Sequence, residues 1–462
     1  MGAKTVNAYL TGTIEALKSV LFGSKRGIRD VILLMIPQVV SVIVGMVTSI
    51  LAARGLGTSG LGAYALVLSV SGIATVLSDL GIGQTAVRYA SRAVSRGDIG
   101  GQLAILRWAF RIRLILSGLV TLGLFAAAPF AEQIWKTEGL TPLLRLGLLG
   151  GIFNAVASVP NIYFQSMKQF ERNTIVTVGQ TLMAFGGILV VTWLGLWSVQ
   201  AVLIATLTGV GIGTVTFLLM VPRTALATGT EGFLPSPERI RNLLHGPRQD
   251  VAPHELSMDA APGVFAGFNL VSTIVVMVIM RADVWLMGFF LDKSDIGVYT
   301  VGARFAMPLT IILSAINAAL WPRASASRST EETVAMLSQT FRLSAIVACL
   351  GGVYALLAPL LAPLLFGQAY AGSVTLGQLL SLRYALAILI CPVGVIGYSF
   401  GMVRVYWWIN LIQLAVVLAI NWLLLPRIGP TASALALIVN EIISVSIAGA
   451  LIARRIRAFR HE

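Results

Sequence analysis

Residues 52–64 of the chain read AARGLGTSGLGAY, and residues 288–299 read GFFLDKSDIGVY. Each stretch separates two long apolar segments and ends in a Gly-x-Tyr triplet. The glycines of the two triplets, Gly62 and Gly297, lie 235 residues apart. The same offset relates Leu56 with Leu291, Ser59 with Ser294, Arg88 with Arg323, and Arg107 with Arg342. A constant offset over this much of the chain predicts two repeated halves.

The composition predicts that both halves lie in a membrane. Of the 462 residues, 57% are hydrophobic and 11% are charged, whereas soluble domains carry about 25% charged residues. A spanning helix needs about 20 mostly apolar residues. Twelve segments meet this requirement, near residues 30–53, 62–87, 108–130, 140–163, 175–195, 198–221, 263–290, 298–322, 339–365, 373–399, 405–425 and 430–452. We therefore expect an all-α membrane protein of about twelve transmembrane helices in two six-helix bundles.

The distribution of Lys and Arg predicts the orientation of these spans. The formal net charge is +14, and basic residues of membrane proteins collect in cytoplasmic loops. The loops of one side carry only Arg54, Lys136, Lys293 and Arg427 near the span ends, and the other side carries many more basic residues. Both termini are therefore expected in the cytoplasm, with the protein in an inner or plasma membrane. A nucleic-acid partner is not expected, because the chain has no basic soluble module with interleaved aromatic residues.

The segments outside the spans complete the predicted organisation. Residues 1–27 place apolar residues at helical spacing opposite lysines, which indicates an amphipathic helix on the cytoplasmic surface. The N-terminal bundle is predicted at 28–221, a cytoplasmic linker at 222–262, the C-terminal bundle at 263–453 and a basic cytoplasmic tail at 454–462. Each bundle has an even number of spans, so both bundles face the same way and are related by an axis along the membrane normal. Repeated halves around a cleft are typical of transporters, although duplicated bundles also serve as scaffolds.

Further motifs carry a family resemblance. Residues 77–89 read LSDLGIGQTAVRY, residues 365–370 read LFGQAY, and residues 425–432 read LPRIGPTA. Together with the turn at 52–64, these motifs resemble the polysaccharide transporter, or oligosaccharide flippase, family, and the resemblance extends over about residues 28–453. That family shares a superfamily with the multidrug and toxin extruders and the cell-wall precursor flippase. The resemblance implies two six-helix bundles in a V shape, alternating access, and a lipid-pyrophosphate-linked oligosaccharide as cargo.

The turn residues by themselves indicate packing and anchoring. Closely spaced glycines at positions 55, 57, 60 and 62 permit a tight turn between neighbouring spans. Tyr64 and Tyr299 are expected at the membrane–water interface, where aromatic side chains anchor helices at headgroup level.

Charged residues inside the predicted spans are the candidate functional groups, because an ionised side chain in hydrocarbon usually faces a bundle interior or a wet cavity. They are Arg54, Asp79, Arg111, Arg113, Arg145, Arg281, Asp283, Arg304, Arg383 and Glu441. The excess of basic residues predicts a positively charged cavity suited to an anionic cargo such as a diphosphate. The four arginines nearest the surfaces are expected to extend their charged ends toward water, namely Arg54, Arg111, Arg113 and Arg145.

The depth of each remaining charged residue within its predicted span indicates its role. Three arginines, Arg281, Arg304 and Arg383, are expected either to line a cavity or to form structural pairs. Arg281 is the first candidate for contact with the cargo headgroup, followed by Arg304, placed within two turns of the outer surface, and Arg383. Arg281 and Asp283 are two residues apart and are expected on roughly opposite faces of one helix. Arg383 and Glu441 each lie about ten residues into their spans, near the middle of the membrane, and could pair. Ion coupling or salt bridging is predicted for three carboxylates, Asp79, Asp283 and Glu441.

Two other functions stay open at this point. A drug or cation antiporter of the same fold would be expected to carry acidic residues in its cleft. An enzyme, such as a membrane sugar polymerase or ligase, would be expected to have a large external loop, and every predicted outer loop is short. No catalytic residue, cofactor or metal site is predicted, because His245, His254 and His461 lack zinc-ligand spacing. A disulfide between Cys349 and Cys391 is not expected either.

The expected partners are membrane lipids and the lipid-linked oligosaccharide. A polysaccharide polymerase or glycosyltransferases of the same pathway are further candidates.

Overall fold

The structure, a computed structural model, describes residues 25–221, 274–326, 330–399 and 403–459. Within these ranges the regular elements are helices, which confirms the predicted all-α class. The predicted linker at 222–262 and residues 1–24 of the amphipathic helix lie outside the described residues. The helices are α1 (Lys25–Asp79), α2 (Ile82–Ser95), α3 (Ile99–Ile134), α4 (Leu140–Ser166), α5 (Phe170–Leu194), α6 (Val199–Leu218), α7 (Ala282–Phe290), α8 (Lys293–Ala306), α9 (Pro308–Ala326), α10 (Thr330–Leu356), α11 (Ala358–Phe366), a 3-10 turn (Gln368–Tyr370), α12 (Ser373–Ser399), α13 (Val403–Ile428) and α14 (Thr431–Phe459).

The first helix, α1, contains two membrane spans joined at Gly57. A straight helix of its 55 residues would be about 83 Å long, far more than the hydrocarbon core of about 30 Å. Gly57 has φ 68° and ψ −178°, a backbone conformation almost confined to glycine. The arms at 25–56 and 58–79 therefore correspond to the first two predicted spans. Side chains of both arms line one cavity, so the second arm turns back toward the first.

The number of membrane spans in the described residues agrees with the twelve predicted from the sequence. By length and apolarity, nine helices within the described ranges can cross a membrane, or ten when the bent pair α8 and α9 counts as one span. Dividing the first of them at Gly57 gives eleven, and the seventh span, described only from residue 274, gives twelve. Large apolar side chains such as Leu122, Trp193 and Leu350 are exposed on the outer surface, as expected against lipid. The chain is a multi-pass membrane protein.

Four spans are broken, which the sequence analysis did not predict. The break between α8 and α9 has a physical cause, since Pro308 cannot donate to the preceding turn and the two helices meet at 45°. In the seventh span, a turn makes Arg281 the N-cap of α7, so this arginine does not lie within a continuous helix. The breaks fall at residues 80–81, 280–281, 307 and 357.

Equivalent residues of the two halves contact each other reciprocally. Gly62 packs against the backbone carbonyl of Lys293, and Gly297 packs against that of Thr58, so a Cβ at either glycine would collide with an oxygen. Thr58 and Lys293 are themselves separated by the repeat offset of 235 residues. Such reciprocity is expected where two copies are related by a two-fold axis. We name this end of the molecule, formed by residues 53–62 and 288–297, the Gly57 end.

A second reciprocal pair lies beside the first. The Tyr370 hydroxyl donates a hydrogen bond of 2.9 Å to the carbonyl of Ala53, and Trp135 packs over Gly288, where a Cβ would lie 2.8 Å from its ring. The repeat offset again relates Trp135 to Tyr370 and Ala53 to Gly288. Burial raises the pKa of Tyr370 to about 12, so its hydroxyl stays protonated as a donor. The halves are therefore joined at the Gly57 end by side chains as well as by backbone.

Candidate functional site: a cavity between the halves

A cavity of about 450 Å³ lies between the two halves. It is bounded by both arms of α1, residues 280–284, α8, α9, α12 and α14. Three predicted headgroup contacts, Arg281, Arg304 and Arg383, all line it. Its size is within the range of about 300–1,000 Å³ typical of small-molecule sites.

The three arginines lie at the same depth. Arg281 is nine residues before the end of α7, Arg304 eleven residues after the start of α8, and Arg383 ten after the start of α12. At about 1.5 Å per residue, each is about 14–17 Å from the Gly57 end, near the middle of the bilayer. The predicted shallow position of Arg304, within two turns of the outer surface, is wrong. Its span begins at Lys293, five residues earlier than the sequence suggested.

Arg383 has a charge partner. Its Nη2 atom lies 2.7 Å from Oε1 of Glu441, and both side chains are largely buried. Its guanidinium also lies over the Tyr384 ring, 4.6 Å from the centroid. The pairing considered from sequence therefore forms, and it places Glu441 behind Arg383. The positive charge of Arg383 is largely compensated before any cargo arrives.

Arg281 and Arg304 have no such partner among the described residues. No carboxylate oxygen of the described chain lies within 4.0 Å of either guanidinium. The one hydrogen bond of Arg304 runs from Nη1 to the Met307 sulfur at 3.3 Å, and a thioether is a weak acceptor. Arg281 is exposed and Arg304 is half-buried. Both guanidiniums are therefore available to an anionic ligand in this cavity.

Asp283 forms a short hydrogen-bonded unit with Tyr299. The Tyr299 hydroxyl donates to Asp283 Oδ2 at 2.6 Å, and Asp283 Oδ1 accepts from the backbone of Val284 at 2.7 Å. Both side chains line the cavity. The expectation that Arg281 and Asp283 point to opposite faces is wrong, because the turn at 280–281 interrupts the helix.

The predicted interfacial role of the two tyrosines is also wrong. Tyr64 is 9% exposed and Tyr299 is 2% exposed, and both line the cavity. Tyr64 and Tyr299 occupy equivalent positions in the two halves, which indicates that both side chains face the same region between the halves. The sequence places both tyrosines near the start of a span, whereas the two spans begin several residues earlier, after Gly57 and at Lys293.

Asp79 lies outside this cavity. It accepts an ion pair of 3.0 Å from Arg113 and a hydrogen bond from the backbone N–H of Gly83 at the start of α2. Arg113 is 8% exposed, so the expectation that it reaches toward water is wrong. Asp79 and Arg113 instead connect the break at 80–81 to α3.

The two other shallow arginines for which contacts are resolved also bind within the protein. Arg54 donates to the carbonyls of Leu364 at 2.7 Å and Leu365 at 2.9 Å, in the last turn of α11. Cations stabilise the C-terminal end of a helix, so Arg54 joins the halves at the Gly57 end. Arg145 lies over the Phe125 ring, 4.6 Å from its centroid.

All charged residues of the cavity come from the C-terminal half. The repeat offset pairs Arg281 with Met46, Asp283 with Thr48, Arg304 with Ser69 and Arg383 with Leu148. The N-terminal half thus presents neutral groups, among them Thr48, Ser49 and Tyr64, opposite the basic wall. The sequence repeat alone did not reveal this asymmetry, because the charged positions are those at which the halves differ. Among the described residues, no cluster of three or more His, Cys, Asp or Glu side chains has a metal-binding arrangement.

Known proteins resemble this chain in sequence and in structure. A family model described as "Polysaccharide biosynthesis protein" matches residues 28–328. No curated protein matches the sequence closely. A solved structure described as the inward-facing conformation of a multidrug resistance MATE family transporter of the MOP superfamily has a TM-score of 0.73 and 15% identity, covering 94% of this chain and 99% of its own.

Two further structures share the fold more distantly. A MATE transporter in complex with MaD3S has a TM-score of 0.61 and 15% identity, covering 96% of this chain and 99% of its own. A MOP superfamily transporter from Pyrococcus furiosus, described as having a binding pocket of reverse polarity, has a TM-score of 0.61 and 16% identity, covering 96% and 98%.

The chain is a multi-pass membrane protein whose fold is similar to that of solved MATE transporters of the MOP superfamily. Since the family model covers more than half of the sequence, the chain belongs to the polysaccharide biosynthesis protein family.

Proposed function

We propose that the protein is a flippase that moves a lipid-(pyro)phosphate-linked oligosaccharide across the cell membrane, for the synthesis of a surface polysaccharide or glycan. The observation that carries the proposal is the pair Arg281 and Arg304, two cavity-lining guanidiniums without a carboxylate partner among the described residues. Phosphate oxygens are strong acceptors for guanidinium groups. A diphosphate would supply the charge-assisted hydrogen bonds that Arg281 and Arg304 do not make within the described protein.

The cargo needs a protein to cross the bilayer because its sugar head is polar. Each hydroxyl moved into hydrocarbon without a partner costs several kcal/mol, so a head with many hydroxyls does not cross unaided. A polar cavity at mid-depth removes that cost, while the lipid tail stays in the bilayer. If the cell interior is negative, the membrane potential assists outward movement of an anionic head by about 2.3 kcal/mol per charge per 100 mV.

The direction of access follows from the proposed orientation. With both termini in the cytoplasm, the Gly57 end faces outward, and the contacts between the halves at this end close the cavity on that side. The cargo head then enters from the cytoplasm. The likeness to an inward-facing transporter, with its TM-score of 0.73, supports this assignment. Rocking of the two halves would break the Gly57-end contacts and release the head outward.

The test is a flipping assay in proteoliposomes, with a lipid diphosphate that carries a labelled disaccharide. The fraction of label that reaches a glycosidase on the far side is measured over time. Arg281→Ala and Arg304→Ala should each slow flipping at least about tenfold, because a hydrogen bond to a charged group contributes about 1.5–3 kcal/mol. Arg145→Ala, which removes an arginine outside the cavity, should flip at the wild-type rate. Wild-type flipping by the Arg281→Ala/Arg304→Ala double variant would overturn the proposal.

A second candidate function is cation-coupled export of drugs or other small molecules, in the manner of a MATE transporter. One observation favours it, namely the carboxylate of Asp283 on the cavity wall. The three arginines beside it argue against a cationic cargo, because like charges in a low-dielectric cavity repel strongly. Accumulation of a cationic dye in the same proteoliposomes, lost in Asp283→Asn, would decide for this alternative.

A further inference from the structure

Arg281 rests against a glycine of the opposite half. A Cβ at Gly72, in the second arm of α1, would lie 3.1 Å from Nη2 and 3.3 Å from Nε of Arg281. Contacts between carbon and nitrogen atoms are seldom this short, so even an alanine at this position would move the guanidinium by a few tenths of an ångström. Among the described glycines, Gly72 is the one covered by an arginine of the other half.

The neighbouring contact holds the two segments together. The Trp285 indole N–H, one turn beyond Arg281, donates to the Ser69 hydroxyl at 3.1 Å. Ser69 in turn donates to the carbonyl of Leu66 at 2.7 Å within its own helix. Ser69 and Gly72 are three residues apart and therefore lie on one face of the second arm. The turn that precedes α7 therefore packs on this face of the second arm. The hydrogen bond between Trp285 and Ser69 and the close contact between Arg281 and Gly72 join the two segments.

We propose that Gly72 is a positioning residue for cargo binding, because the space left by its missing side chain fixes the guanidinium of Arg281. This inference rests on the proposed function, since it assumes that Arg281 binds the anionic head. The inference adds that both halves form the anion site, because Gly72 lies in the N-terminal half although all the charged residues come from the C-terminal half. A movement that separates the second arm from residues 280–285 also separates Gly72 from the Arg281 guanidinium. Cargo affinity therefore depends on the relative position of the halves.

The experiment measures equilibrium binding of farnesyl diphosphate, a short lipid diphosphate, to the purified full-length protein in detergent. Gly72→Leu should weaken binding at least about tenfold, the factor that corresponds to one hydrogen bond with a charged group. Gly72→Ala, a smaller perturbation that is more certain to fold, should weaken binding in the same direction by a smaller factor. Gly118→Leu is the matched control, since Gly118 is a helical glycine outside the cavity with nothing within 4 Å of a Cβ. It should bind like the wild type.

A double-mutant cycle separates positioning from a general effect on packing. If Gly72 acts through Arg281, the Gly72→Leu change should have no further effect on affinity in an Arg281→Ala protein. The same holds for Gly72→Ala. Additive losses would mean that Gly72 acts independently of Arg281 and would overturn the inference.

The remaining outcomes distinguish the inference from the proposed function. Wild-type affinity in both Gly72 variants, with weakened binding in Arg281→Ala, overturns only the role of Gly72. Wild-type affinity in Arg281→Ala contradicts the proposed headgroup contact itself, and the inference falls with it. Thermal unfolding of each variant in the same detergent establishes that the compared proteins are folded.

Discussion

The Ser294 hydroxyl donates a hydrogen bond of 2.8 Å to the Thr58 hydroxyl and so joins the two halves at the Gly57 end. Each residue lies beside the glycine contact of the opposite half, since Gly297 packs on Thr58 and Gly62 on Lys293. A cavity that opens at this end can do so only if these contacts separate. The hydrogen bond between Ser294 and Thr58 is therefore a direct marker of the closed state.

A disulfide at this place should stop transport. Thr58→Cys/Ser294→Cys, made in a Cys349→Ser/Cys391→Ser background, should form a cross-link under mild oxidation, because the two side-chain oxygens are already in contact. The oxidised protein should lose flipping in the proteoliposome assay and regain it on reduction. Each single cysteine variant is the control and should be insensitive to the oxidant. Full flipping by completely cross-linked protein would show that the Gly57 end does not open.

The glycines at the Gly57 end should set how closely the halves approach. Gly62→Ala and Gly297→Ala each place a Cβ against a backbone oxygen, which cannot move as a flexible side chain could. Both changes should lower the yield of the Thr58–Ser294 cross-link, measured by gel mobility. Gly186→Ala, where a Cβ has open space, is the matched control. An unchanged yield in both interface variants would be inconsistent with the observed packing.

The Arg383–Glu441 pair should contribute to stability as a unit. Glu441→Gln leaves a buried guanidinium without its counter-charge, and breaking a buried pair from one side costs about 3–5 kcal/mol. The double variant Arg383→Gln/Glu441→Gln should be less destabilised than the sum of the single variants, as measured by thermal unfolding in detergent. Strict additivity would mean that the two charges do not interact.

Asp79 should affect folding more than transport. Asp79→Asn removes the charge that pairs with Arg113 but keeps an oxygen that can accept from the Gly83 N–H. We expect a lower unfolding temperature, with the affinity for farnesyl diphosphate unchanged, because Asp79 lies outside the cavity. Asp283→Asn serves as the comparison, since Asp283 lines the cavity and should alter binding. Loss of ion-dependent flipping in Asp79→Asn alone would assign to Asp79 the coupling role that its position argues against.

The fold could be predicted because its determinants are local and repeated. The apolar segments predict the spans, and the common offset of 235 residues that relates Gly62 to Gly297 predicts the repeat. Breaks such as the turn before Asp283 could not be predicted in the same way, since a broken span is as apolar as a continuous one. At this turn the chain packs against the opposite half, where the Trp285 indole donates to Ser69, and that contact is not evident in the sequence.

The charged residues of the candidate site could be predicted from the sequence, but the contacts among them could not. Charge inside a span was enough to select Arg281, Arg304 and Arg383, and all three line one cavity. The sequence could not show that Arg383 is compensated while the other two are not, because that depends on which helices are neighbours. Gly72 had no signal in sequence, since its role consists of the space it leaves for Arg281.

The most direct measurement of the anion site is an experimental structure of the protein with a lipid diphosphate disaccharide bound. We predict that phosphate oxygens lie within about 3 Å of the guanidinium nitrogens of Arg281 and Arg304, the separation of a charge-assisted hydrogen bond. The sugars should then face the neutral wall of the N-terminal half. A diphosphate bound elsewhere, with both guanidiniums paired to carboxylates of the protein, would contradict the proposed site.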